Sequence, residues 1–243
     1  MNEQSEIDNG KKLTFKRLLP LCVIGALCIP FFTLGFADYL SFEALKANRG
    51  VIMAWTEDNY ILAVPVFIGA YILIISMSLP GGIWLTMMGG FLFGTLECTT
   101  YVVFGATIGA TIIFLAARYA FADYLRAKAG ASVRKMEDGF REDALSYLLF
   151  LRLVPAFPFW LVNLVPAFIG VPVGTYVIGT FFGIIPGTFV FASVGSGLGE
   201  VFDGGGEPDL GIIFTPGILL PIIGLAVLAL IPVFYKKFTN RPT

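Results

Sequence analysis

Arg152-Leu153-Val154-Pro155-Ala156-Phe157-Pro158 sets a guanidinium and two prolines inside Leu145–Gly170, a stretch otherwise apolar enough to lie in a bilayer. An arginine at hydrocarbon depth costs about 2.5–3.5 kcal/mol on insertion scales. Each proline also removes a backbone donor and frees a carbonyl that must find another partner. A segment with both features is not a plain spanning helix. It reads as a broken, re-entrant element lining a polar cavity, which is where membrane transporters keep their sites.

The rest of the chain supplies the membrane setting. Of its 243 residues 57% are hydrophobic and only 14% charged, against about 25% charged in soluble domains. One integral membrane domain accounts for all of it. The net charge of −1 gives no reason to expect a nucleic-acid partner. There is no histidine, which removes imidazole acid–base chemistry, Ser-His and Cys-His nucleophile pairs, and most zinc or haem sites. Cys22, Cys28 and Cys98 form no CxxC and read as small buried hydrophobes. No metal and no cofactor is expected. No paired carboxylates or base-activated nucleophile are visible, so the chain is not expected to be an enzyme.

Residues 1–17 are polar and expected to be disordered. Lys11, Lys12, Lys16 and Arg17 then precede the apolar run 18–36. That run is longer than a signal peptide's apolar region and no clear A-x-A site follows, so it reads as an uncleaved first transmembrane helix. Segment 37–59 carries a short helix signal with Ser41 as cap and Gly50 as stop, and Met53 and Trp55 suit an interfacial position. Hairpin 60–94 is uncharged and broken at Pro80-Gly81-Gly82. Helix 98–117, inner loop 118–143, hairpin 145–170 and helix 174–194 complete a core over 60–194. An outer loop 195–209, a last transmembrane helix 210–235 and a tail 236–243 follow.

Basic residues orient this scheme. The N-terminus has four. Segment 118–143 has Arg118, Arg126, Lys128, Arg134, Lys135 and Arg141, and the tail has Lys236, Lys237 and Arg241. Segment 37–59 has only Lys46 and Arg49, and 195–209 has none. Both termini and 118–143 are therefore expected on the cytoplasmic side of a plasma membrane. With those ends fixed, the two hairpins must enter from opposite faces. The expected fold is an all-α polytopic membrane protein, an inverted repeat of re-entrant hairpin plus transmembrane helix with flanking N- and C-terminal helices. Pro80/Pro155, Gly94/Gly170, Tyr101/Tyr176 and Gly109/Gly183 recur at offsets of 75, 76, 75 and 74. Paired Gly/Pro-broken segments in two halves point to a midplane site.

Candidate substrate-binding residues follow from polarity at depth. Arg152 offers a fork suited to a phosphate, or alternatively snorkels to headgroups or holds hairpin carbonyls. Arg118 closes a span on the basic side, as an orientation signal or a site residue. Asn163 is the one amide of the second hairpin, structural or functional. Glu97 near the outer end of a span is an interfacial charge, or else a proton carrier or arginine partner. Pro80, Gly81, Gly82, Gly90, Gly94, Pro155, Pro158 and Gly170 are the expected hairpin-shaping residues. The GxxxG pairs Gly90/Gly94, Gly105/Gly109, Gly170/Gly174, Gly179/Gly183 and Gly183/Gly187 suit close helix packing within one bundle, with a homo-oligomer as the alternative use.

Leu79-Pro80-Gly81…Gly89-Gly90-Phe91-Leu92-Phe93-Gly94, then Gly105…Gly109…Phe114-Leu115-Ala116-Ala117-Arg118, then Arg152-Leu-Val-Pro155-Ala-Phe-Pro158…Asn163 resemble the DedA superfamily, also called the VTT or SNARE-associated Golgi protein family. The likeness covers roughly residues 40–200 and includes Leu40–Gly50 upstream. The resemblance implies two facing re-entrant hairpins and work on membrane lipids. Bacterial members are linked to recycling polyprenyl-phosphate carriers and to envelope fitness dependent on the proton-motive force, and eukaryotic members scramble phospholipids. It marks Arg118, Arg152, Pro155 and Pro158 as motif residues. One departure stands out: proton-dependent members carry acidic residues in and near the first hairpin, and Tyr60–Phe93 has none. The expected function is translocation of a phospholipid or polyprenyl phosphate between leaflets. The alternatives are secondary transport of a small ion or solute, and a non-transporting membrane scaffold.

Overall fold

The computed structural model describes residues 26, 42–79, 81–128, 143–155, 157–203 and 210–239. The first transmembrane helix at 18–36 (residue 26 apart), Cys22, Cys28, Ser41, Pro80, the segment 129–142 and the tail beyond 239 lie outside them. The described chain is all helical. In order it forms α1 (Phe42–Asp58), α2 (Tyr60–Ser76), α3 (Gly82–Phe93), α4 (Thr95–Lys128), α5 (143–153), α6 (Phe159–Phe168), α7 (Val173–Ser196), α8 (Leu198–Asp203), a 3-10 turn (Leu210–Phe214) and α9 (Pro216–Thr239). Among the described residues three helices are long and apolar enough to cross a membrane: Thr95–Ala120, Val173–Ser196 and Pro216–Val233. A fourth joins them if Leu45–Asp58 and Tyr60–Ser76, bent at 116°, are counted as one broken span. The chain is a multi-pass membrane protein.

Helix α4 is the hub. Its apolar window is 61% buried within the protein, against 22% for α7 and 11% for α9. It runs antiparallel to α7, because Phe114 meets Tyr176 near one end and Phe104 meets Phe181 nearer the other. Helix α2 lies along α4 in the same direction. Tyr71 covers Gly105, and Ile72 and Ile75 cover Gly109. Helix α5 lies along α7 in the same manner: Leu148 covers Gly179 and Arg152 covers Gly183. The returning limbs then change partner, α3 packing on α7 and α6 on α4.

Two halves therefore share one plan, and the antiparallel α4–α7 pair makes their hairpins point in opposite directions. The glycine echoes occupy matched places. Gly94 and Gly170 each join a short returning limb to a long helix, and both have φ of 77°, a left-handed conformation that glycine adopts without penalty. Helices α3 and α6, with 12 and 10 residues, rise about 18 and 15 Å, short of the roughly 30 Å hydrocarbon thickness.

The breaks follow from local sequence. At the first hairpin tip, α2 ends at Ser76, Met77 caps it, and the chain turns through Ser78 (φ 52°) and Gly81 (φ 140°). At the second, α5 stops at Leu153, since a residue before proline is driven out of the helical region. Pro158, with φ −58° and ψ 135°, then leads into α6. Gly90 is not at a hairpin tip. It sits inside α3, where it touches the Ala192 carbonyl of α7 while Gly195 of α7 touches the Met87 carbonyl of α3. Gly105, Gly109, Gly179 and Gly183 likewise serve contacts within one chain.

Several expected boundaries move, and the last helix, expected over 210–235, runs from Pro216 to Thr239 after the 3-10 turn Leu210–Phe214. Helix α1 runs through Gly50, because one interior glycine costs only about 1 kcal/mol and Leu45 and Ile52 anchor the helix on the Met87–Leu198 cluster. Helix α4 continues past Ala117 to Lys128. Residues 118–128 have no Gly or Pro, so the change to polar composition marks where apolarity ends and not where the helix does. The expected loop at 195 onward begins as helix, α7 reaching Ser196 and α8 being held by buried Leu198.

The close α3–α7 crossing sets a clear contrast. Gly195→Ala forces a methyl into the Met87 backbone, and should cost about 1–3 kcal/mol and lower the thermal midpoint in detergent. Gly187→Ala, on the same helix with nothing within 4 Å of the added carbon, should leave it unchanged or slightly raised.

Candidate functional site

Arg152 occupies the last turn of α5, just before the proline break. Its Cβ rests on Gly183 of α7, and helical side chains lean towards their own N-terminus. The guanidinium therefore reaches back along α7. Its Nη2 donates to the Tyr176 hydroxyl at 2.9 Å and to Thr180 Oγ1 at 3.0 Å. The guanidinium also lies 5.5 Å from the Tyr176 ring centroid, a cation–π distance.

Tyr176 is the centre of the network. It is fully buried, and its ring stacks on Phe114 of α4 with centroids 4.1 Å apart. Its hydroxyl accepts from Arg152 and faces two acceptors, Asn163 Oδ1 of α6 at 3.2 Å and the Ala110 carbonyl of α4 at 3.3 Å. One phenol thus touches α4, α5 and α6 from its place on α7. Asn163 is also fully buried. Arg152 Nε and Asn163 Nδ2 are buried without a hydrogen-bond partner among the described residues. Leaving such donors unpaired costs about 1–3 kcal/mol each, so their pairing with a ligand or water is strongly favoured.

Arg118 belongs to the same neighbourhood. It lies inside α4, its guanidinium 5.9 Å from the Phe114 ring centroid, and Nη1 donates to the Val171 carbonyl at 3.0 Å. That bond ties α4 to the α6–α7 junction beside Gly170. The two arginines address the two rings of one aromatic stack.

Glu97 is elsewhere. It lies in the first turn of α4, and 21 residues of helix rise about 32 Å between it and Arg118. It is exposed, and Oε2 accepts from the Tyr60 hydroxyl at 2.7 Å. The expected quartet is thus a trio, Arg118, Arg152 and Asn163, plus a remote carboxylate. Tyr176, Thr180 and Phe114 complete the trio's site and were not among the candidates. Tyr176 had one signal, its echo with Tyr101, but the two are not equivalent: Tyr101 lies 3.0 Å from Tyr60, beside Glu97. Among the hairpin-shaping set, Gly81, Gly94, Pro155, Pro158 and Gly170 lie at chain breaks, Gly82 opens α3, and Gly90 is a packing contact.

Residues 79–197, from the first hairpin tip to the end of α7, match the VTT domain. Thus the chain belongs to the VTT-domain family, the DedA or SNARE-associated Golgi protein family. Similar proteins include the "Transmembrane protein 41 homolog" of Dictyostelium discoideum, 30% identical over 81% of this chain, and that of Caenorhabditis elegans, 27% identical over 80%. "Transmembrane protein 41B" of Homo sapiens is 28% identical over 79%. This chain spans 58%, 78% and 65% of the lengths of those three relatives. No solved structure matches. The VTT region contains the whole Arg152–Tyr176–Asn163 network together with Phe114 and Arg118.

Two substitutions separate the network from its charge. Tyr176→Phe keeps the stack on Phe114 but strips Arg152 and Asn163 of a shared partner, and should destabilise by about 1–3 kcal/mol in a detergent unfolding series. Gly183→Ala keeps every polar group but sets a methyl 2.6 Å from Arg152 Cβ. It should displace the guanidinium from Tyr176 and Thr180 and destabilise by about 1–3 kcal/mol in the same detergent unfolding series.

Proposed function

We propose that the protein moves a phosphate-bearing lipid, a phospholipid or a polyprenyl phosphate, between membrane leaflets, with Arg152 engaging the phosphate. The observation that carries this reading is the pair of buried, unpaired donors, Arg152 Nε and Asn163 Nδ2, on side chains that share the Tyr176 hydroxyl. A phosphodiester presents acceptors and a negative charge, which is what this pair lacks. Guanidinium offers phosphate two parallel hydrogen bonds through a rigid fork. The described partners of Arg152 are hydroxyls, which orient it without neutralising it.

The short returning limbs support the rest of the reading. Helices α3 and α6 enter and leave as re-entrant limbs from opposite faces, and their tips open a polar groove through the apolar layer. Arg118 acts as a brace, holding the α6–α7 junction against α4 through Val171. The cell membrane is the proposed location, with both termini cytoplasmic, an orientation that the excess of basic residues in the flanking segments supports. Transfer needs no covalent step, so the protein acts as a scramblase or flippase and not as an enzyme. Because the same two donors fit a small soluble anion, secondary transport of such an anion is the second reading.

Leaflet translocation of labelled phospholipid and polyprenyl phosphate in proteoliposomes tests this. Wild type should move at least one of the two. Arg152→Ala should lose about tenfold or more at equal incorporation, and Arg152→Lys should recover only part, because ammonium lacks the fork. Unchanged lipid movement in Arg152→Ala would falsify the assignment. Anion uptake without lipid movement would select the second reading, and folded protein with neither activity would leave a scaffold.

A further inference from the structure

A second polar cluster lies at the other end of α4. Tyr60, the first residue of α2, donates its hydroxyl hydrogen to Glu97 Oε2 at 2.7 Å. The Tyr101 hydroxyl lies 3.0 Å from the Tyr60 hydroxyl. A phenol has one hydrogen. Since Tyr60 spends its hydrogen on Glu97, the hydrogen between the two phenols comes from Tyr101. Both phenol hydrogens therefore point inward. Outward, the cluster presents only acceptors: Glu97 Oε1 and the remaining lone pairs of the phenols, around one full negative charge.

The frame is rigid and reaches solvent. Both phenol rings meet Phe93 edge-to-face, with centroids 5.9 Å (Tyr60) and 5.5 Å (Tyr101) away. Phe93 itself is buried and packs on Phe67 at 5.3 Å. Tyr60 is 41% exposed, and its apolar neighbours Ile61 and Leu96 are 91% and 73% exposed. An acceptor-only cluster thus opens beside a strongly apolar surface at the end of a spanning helix, the level at which headgroups lie.

From this geometry we propose that Tyr60, Glu97 and Tyr101 form a binding site for a primary ammonium group, the headgroup end of an aminophospholipid. A primary ammonium has three N–H donors and no acceptor, the complement of this cluster. Exposed Ile61 and Leu96 give the acyl chains a surface next to the headgroup. Quaternary ammonium offers no N–H and fits less well, and anionic headgroups are repelled by Glu97. A carboxylate in the first turn of α4 also favours the helix N-terminus electrostatically, but that role places no demand on Tyr60 or Tyr101. The site is independent of Arg152 and of lipid translocation.

Equilibrium lipid retention tests it. Full-length protein is equilibrated in phosphatidylglycerol vesicles containing minor, equal amounts of phosphatidylethanolamine and phosphatidylcholine. Lipids kept through detergent extraction are then counted by native mass spectrometry. Wild type should retain phosphatidylethanolamine several-fold over phosphatidylcholine. Glu97→Gln should abolish that preference, and Tyr101→Phe should weaken it while leaving the thermal midpoint near wild type. Arg152→Ala should keep the preference whatever happens to its transport, so the two proposals fail separately. Soluble glycerophosphoethanolamine added in excess distinguishes a free amine from a lipid: competition at low millimolar concentration assigns the site to the amine alone and overturns the lipid assignment. Equal retention of the two lipids by wild type, or an unchanged preference in folded Glu97→Gln, overturns the site itself.

Discussion

The hydroxyl of Tyr176 ties together four helices. From α7 it meets the Ala110 carbonyl of α4, the guanidinium of α5 and the amide of α6, while its ring lies on Phe114. In water such contacts would be a modest supplement to apolar burial. In a bilayer the helix surfaces meet lipid of the same polarity, and the apolar driving force between helices largely disappears. Van der Waals fit and interhelical hydrogen bonds then carry association. A stacked aromatic pair whose hydroxyl serves three other helices is therefore a structural keystone as well as the frame of the candidate site.

The glycine contacts obey the same physics. Gly90 and Gly195 bring α3 and α7 to backbone contact, and Gly105, Gly109, Gly179 and Gly183 admit the first limb of each hairpin. Close approach multiplies dispersion contacts, each small but summed along a helix. Both halves use it at matched glycines with different side chains, Tyr71 on Gly105 against Leu148 on Gly179. Where Gly109 of α4 receives Ile75, Gly183 of α7 receives Arg152. The duplicated scaffold thus seats a guanidinium on this glycine in one half only. The first half places its carboxylate, Glu97, at the end of α4 remote from Arg118. The two ends of the core consequently differ in chemistry, donor-rich around Arg152 and acceptor-rich around Glu97.

Much of this was legible in the linear chain. The apolar runs, the paired Gly/Pro breaks and the echo of Gly94 with Gly170 followed from composition and spacing, and both glycines do have the same positive φ at matched junctions. Arg152 and Asn163 stood out as polar groups in an apolar stretch, and the fold brings them to one phenol. What stayed hidden was anything without a compositional edge. Helix α4 passes from apolar to polar at Arg118 with no break in the backbone, and α1 passes through Gly50, because helix continuity depends on local sterics and packing and not on polarity. Tyr176, Thr180 and Phe114 looked like ordinary residues of spanning helices.

The sequence alone determined that the chain is a helical membrane protein with two broken segments, since uninterrupted apolar length and misplaced prolines are local properties. It also singled out the polar groups whose burial needs a reason. Only the tertiary structure decided which of them act together. Arg118 and Arg152 meet across one aromatic stack although 34 positions separate them, while Glu97 lies on the same helix as Arg118 and shares no contact with that stack. The physical reason is that the returning limbs exchange partners. Helix α6 crosses to α4 and α3 to α7, so side chains from both halves converge through contacts that no local pattern in the sequence encodes.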